Sequence, residues 1–157
     1  MAHLRFSWVL SGPGWAKCTV SDDEAEAEVT ASYITAAPEG LLTAVSRLIV
    51  GETECRVQFE AEPTAFRWIF RRQGTRVWIR LLEMVHGGDH DNAGTVIWST
   101  QQDIDVVARA VIRCFDEVAG KYGEGAYRGK WREDFPRAEL EALRAAWRAY
   151  RGDWAAS

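Results

Sequence analysis

The run His86-Gly87-Gly88-Asp89-His90-Asp91-Asn92 holds two imidazoles four residues apart, with one carboxylate between them and one beside them. On a helix that spacing would set both imidazoles on one face, as a zinc site needs. His86, Asp89, His90 and Asp91 are therefore the candidate metal ligands. The intervening glycines disfavour a helix, and neither HExxH nor a complete EF-hand loop accompanies them. The other reading of these residues is a solvated loop between two strands.

Other chemistries lack parts. Cys18, Cys55 and Cys114 are odd in number and widely spaced, with no CxxC. They read as reduced, packed small hydrophobes of a cytoplasmic protein rather than as a disulfide framework. Glu60, Glu62 and Glu83 could pair across strands, but acid–base work needs one of them desolvated in a pocket. Glu62 precedes Pro63 at a turn, which suits a structural role. No GxSxG, GxGxxG or GxxxxGK[ST] occurs, so hydrolase and nucleotide chemistry have no motif behind them. No cofactor is called for, and the reading leans away from catalysis.

Two features suit recognition instead. Asp22, Asp23, Glu24, Glu26 and Glu28 form an acidic stretch that would repel DNA and attract a basic protein. It also suits a solvated hairpin edge guarded against aggregation. Trp78 and Arg80, with Arg67 and Arg71 nearby, form the second feature. Trp and Arg dominate interface hot spots, and Trp can stack single-stranded bases. Arginine stems lying over a Trp on a wet sheet face would give the same sequence.

These residues need a scaffold, and the hydrophobic pattern supplies one. Strands are predicted over Arg5 to Leu10 and Trp15 to Val20, joined by Ser11-Gly12-Pro13-Gly14. Strict alternation from Glu24 to Tyr33 predicts a half-buried strand. Leu41, Leu42, Val45, Leu48 and Ile49 at helical spacing predict a helix at about 37–50, with Thr35 as its cap and Gly51 past its end. Four strands follow, through Cys55–Phe59, Phe66–Arg71, Arg76–Val85 and Thr95–Thr100, with a polar loop over His86 to Gly94. Thr100-Gln101-Gln102-Asp103 suits a capping box for a second helix carrying Ile104, Val107, Ala108, Val111, Phe115 and Val118. Three glycines predict a loop over 121–130. Asp134 and Pro136 start a last helix with Leu140, Leu143, Trp147 and Tyr150 on one stripe.

The expected class is α+β: an antiparallel sheet of about 6–7 strands, one inserted helix and two C-terminal helices on one face. The opposite face is then wet and carries Glu26, Glu28, Arg56, Gln58, Arg67, Arg71, Trp78 and Arg80. A register slip of one residue would invert that set. Length agrees with one domain over residues 1–157. With 47% hydrophobic and 27% charged residues and a net charge of −4, the chain is neither generally basic nor too charged to collapse. No apolar run reaches the ~20 residues of a membrane span. The N-terminus lacks the pattern of a secretory signal.

Ser32-Tyr33-Ile34-Thr35-Ala36-Ala37, the apolar helix ending at Gly51, then Phe59, Glu62-Pro63 and Trp68 resemble a small bacterial family of uncharacterised α/β domains, some grouped with immunity-like proteins of toxin systems. The resemblance covers about residues 30–72. It implies a compact protein that acts by binding, and it assigns no catalytic residue. The expected function is a small cytosolic bacterial binding protein, immunity-like, that occludes or recruits a protein partner. One alternative is a metal-dependent or other enzyme centred on the His86–Asp91 loop, and another is a homodimeric structural protein.

Overall fold

A computed structural model describes the backbone of residues 3–156 and the side chains of residues 3–152. Its elements run β1 (Leu4–Gly12), β2 (Trp15–Asp22), β3 (Glu26–Ser32), α1 (Ala37–Ile49), β4 (Glu54–Glu60), β5 (Ala65–Gln73), β6 (Arg76–Met84), a single 3-10 turn (Asp91–Ala93), β7 (Thr95–Asp103), α2 (Ile104–Tyr122), α3 (Glu124–Trp131) and α4 (Arg137–Ala156). All strand pairs are antiparallel, and the class is α+β as expected.

The seven strands divide into two sheets, ordered β1-β2-β3 and β4-β5-β6-β7, rather than forming one layer. The break falls where α1 intervenes between β3 and β4. Strands joined by tight turns pair with each other, whereas β3 and β4, separated by a 13-residue helix, lie near each other without pairing. The sheets meet again at β7. The Trp98 indole donates to the carbonyl of Ala25 at 3.2 Å, and the Thr100 hydroxyl donates to Asp22 Oδ2 at 2.7 Å. The second helix is capped by Asp103, whose carboxylate accepts from the Asp105 N–H. Thr100, expected in that capping box, is a strand residue. Thr35 likewise does not cap α1; it accepts from the Glu60 N–H at 3.4 Å, and Ala36 holds the cap position.

The expected loop over 121–130 is instead largely the helix α3. Gly125 and Gly129 each cost a helix about 1 kcal/mol relative to alanine. Tyr127 and Trp131, four residues apart, are both fully buried on one face of it. Burying two large aromatic side chains outweighs the glycine cost. Gly123, with φ +75, makes the turn between α2 and α3.

Both sheets and the helices share one contiguous core. Trp68 sits at its centre, fully buried, with ring centroids 5.5 Å from Phe6, 5.7 Å from Phe59 and 6.4 Å from Phe70. Trp8 packs edge-on against Trp131 at 5.3 Å, which ties α3 to β1. Arg72 reaches the C-terminus of α1 and donates to the carbonyls of Leu48 and Ile49, the groups a helix end leaves without partners.

Candidate functional site

Cross-strand register lays out the second face of the four-stranded sheet as rows. Glu54, Arg71, Trp78 and Gln101 lie in one row, and Arg56, Ile69, Arg80 and Ser99 in the next. A bulge in β7 follows, between Leu81 and Leu82 of its partner β6. Gln58, Arg67, Leu82 and Val96 form the third row, and Glu60, Ala65 and Met84 the fourth. The register expected from alternation therefore holds on this sheet.

This face is not wet throughout. Ala65, Ile69, Leu82 and Met84 form a second small buried cluster. The His86–Gly94 loop folds back beside it. Asp91 anchors the loop: its Oδ2 accepts from Arg56 Nε at 3.1 Å and Nη2 at 2.6 Å, and its Oδ1 accepts from Arg67 Nη1 at 2.8 Å. Arg67 also donates to the carbonyls of Gly87 and Asp89 and to Gln58 Oε1. Hydrogen bonds from Arg56 and Arg67 hold the Asp91 carboxyl below its ordinary value. The glycines serve this close approach. A Cβ on Gly94 would lie 2.5 Å from the Met84 sulfur, and one on Gly87 would lie 2.8 Å from Gln58 Nε2.

The four proposed metal ligands thus have unequal surroundings. Both Asp91 oxygens are taken by guanidinium groups, and His86, Asp89 and His90 are exposed. Among the described residues, no three His, Cys, Asp or Glu side chains converge as a metal site would need. Glu60 and Glu83 project from opposite faces of the sheet, because Glu60 pairs with Ala65 while Glu83 pairs with Phe66 on the core side. Glu60 accepts from Gln58 Nε2 at 2.6 Å. The thiols are all buried. Burial pushes Cys18 up to about 12, and burial with the adjacent Glu52 carboxylate pushes Cys55 up to about 11.

In the first two rows Arg71, Trp78, Gln101, Arg80 and Ser99, with the buried Ile69 beneath, form the floor of a cleft of about 1220 Å³. One wall is the β2–β3 turn, Asp22, Asp23 and Glu24; the other is Thr53 and Glu54 at the β4 side. Tertiary structure thus joins two features that are far apart in sequence, the acidic turn and the Trp78–Arg80 pair. Trp78 keeps 39% of its surface exposed between them. Asp22 is a structural member of the wall. Burial opposes its charge, but hydrogen bonds from the Thr100 hydroxyl and from the N–H groups of Glu24 and Ala25 outweigh burial and keep its carboxyl below the ordinary value. Asp23 and Glu24 are exposed. Glu26 and Glu28, the rest of the acidic stretch, lie on β3 and do not line the cleft.

Arg76, Ser99 and Gln101 also line the cleft and had not been singled out in the sequence. Arg76 lies two residues from Trp78 on the same strand face, so alternation could have included it. Ser99 and Gln101 depend on the β6–β7 register, which no local pattern reveals. Among the described residues, no helix is long and apolar enough to cross a membrane.

No family model matches this chain, and no curated protein matches it in sequence. A chain from the CdiA-CT/CdiI toxin and immunity complex of Enterobacter cloacae is similar in structure over 74% of this chain and 99% of its own length, at 14% identity and a TM-score of 0.47.

Proposed function

We propose that this chain is a binding protein without chemistry of its own, which engages a protein partner through the cleft on its four-stranded sheet. The observation that carries this reading is the convergence of Asp23, Glu24, Trp78 and Arg80 on one open cleft. Exposed Trp flanked by Arg is the composition of an interface hot spot. A rigid sheet holds these groups in place, so little ordering cost falls on association. In manner the protein is immunity-like: it occludes a partner's working surface or recruits that partner by presenting a complementary face.

Immunity-like action makes a genetic test available. The product of the neighbouring reading frame, expressed alone, should arrest growth, and co-expression of this chain should restore it and yield a complex by size-exclusion chromatography. Restoration should fail with Trp78→Ala and Arg80→Glu together. Full rescue and an intact complex with that double variant would reject the cleft as the contact.

A further inference from the structure

On the open half of this face the cations are weakly paired, unlike those on the covered half. Arg56 and Arg67 are held by Asp91. By contrast, among the described residues Arg76 has only a 3.3 Å contact to the Gln101 carbonyl, and Arg71 only a 3.7 Å contact to Glu54. Arg80 is exposed on the floor and makes no ion pair among the described residues. Arg76, Trp78 and Arg80 are successive same-face residues of β6. Neighbours of that kind are about 6.7 Å apart, and the outer two about 13 Å apart.

We propose that the floor of the cleft takes an extended acidic segment of the protein partner, with carboxylates at two positions four residues apart and an apolar side chain midway. The carboxylates meet Arg76 and Arg80, and the apolar residue lies on Trp78. This rests on the cleft being the partner site, and it adds the partner's chemistry and spacing. An extended segment repeats its side chains with the same period as β6, so three contacts register together. Guanidinium groups favour carboxylates through charge-assisted, bidentate hydrogen bonds. A single-stranded nucleic acid would also meet arginines and a Trp, but its unbroken row of phosphates would run against Asp23 and Glu24 on the wall. A segment with isolated carboxylates avoids that repulsion.

Blocked peptides test the spacing directly. One carries Glu-Thr-Leu-Thr-Glu, a second the same residues shuffled to Glu-Glu-Leu-Thr-Thr, and a third Lys-Thr-Leu-Thr-Lys; a decamer of uridylate is the fourth probe. Binding is followed by calorimetry and by the Trp78 indole NMR signal, assigned with Trp78→Phe. The first peptide should shift that signal and bind at least about tenfold tighter than the second and third. R76E and R80E should each weaken it about tenfold, and added salt should weaken it further. Because both positions are exposed, R76Q and R80Q serve as milder variants, and circular dichroism verifies folding. Equal binding of the shuffled peptide, tighter binding of the uridylate, insensitivity to R76E and R80E, or no binding by the first peptide at millimolar concentration would each overturn the proposal. If the whole partner is lost with D23K and E24K but kept with R76E and R80E, the cleft reading stands and the acidic-segment inference falls. If neither pair matters, both fall.

Discussion

Removing Asp91 should loosen the loop that closes half of the second sheet face. Its carboxylate accepts from two guanidinium groups, at 2.6 and 3.1 Å from Arg56 and at 2.8 Å from Arg67. The two contributions differ in size. The Arg67 side chain is 11% exposed and that of Asp91 27%, so this hydrogen bond between charged groups should contribute about 1.5–3 kcal/mol. The Arg56 side chain is 47% exposed, and solvent reduces its share to about 0.5 kcal/mol. Arg67 retains Gln58 and two loop carbonyls, so it is not left unpaired. Asp91→Ala should therefore cost about 2–3.5 kcal/mol in urea unfolding, and Asp91→Asn somewhat less. Hydrogen exchange should accelerate over residues 86–94 but not at Trp68.

The pH dependence follows from the same contacts. A carboxyl held below its ordinary value in the fold contributes stability that is complete above the unfolded value, about 3.9 for Asp. That contribution is lost as pH falls through the lower folded value. The stability gap between the native protein and Asp91→Asn should thus be constant from about pH 6 to pH 8 and close on acidification below about pH 4. A gap under about 0.5 kcal/mol at neutral pH, or one undiminished in acid, would refute the assignment of the clamp.

Four further outcomes are expected. Trp68→Ala should cost about 3–5 kcal/mol, because it empties the aromatic centre of the core; Trp68→Phe should cost less, since the buried indole N–H has no partner among the described residues. Trp131→Ala should release α3 at a similar cost, read as lost protection of the Tyr127 amide while α2 amides stay protected. A thiol reagent at pH 8 should label no cysteine in the native state and three after denaturation, because burial raises all three thiols. Stoichiometric zinc should leave the melting temperature unchanged; a rise of several degrees that is lost with His86→Ala and His90→Ala would restore the metal reading of the loop.

How much of this was legible in the sequence follows from the range of each signal. Alternation in β4, β5 and β6 is local, and it placed Arg56, Gln58, Arg67, Arg71, Trp78 and Arg80 on the correct face. The helical stripes of α1 and α2 are local as well. The glycines of α3 mislead because the compensating term, Tyr127 and Trp131 buried against β1 and the helices, is tertiary. The division into two sheets is equally hidden, since an edge shows only which strands hydrogen-bond. For the His86–Asp91 loop the residue types suggested metal ligation. Two arginines from β4 and β5, over twenty residues upstream, decide the role of Asp91 instead. The cleft combines Asp23 and Glu24 with Trp78 and Arg80, and no sequence spacing relates those two pairs.

The most direct test of the cleft is a calorimetric titration of the partner protein into three forms of this chain: native, Trp78→Ala with Arg80→Glu, and Glu26→Lys with Glu28→Lys. Trp78 and Arg80 floor the cleft, whereas Glu26 and Glu28 lie outside it. The account expects the first pair to weaken binding by about a hundredfold or more, roughly 2.7 kcal/mol, with the second pair near native affinity. The reverse pattern would contradict it.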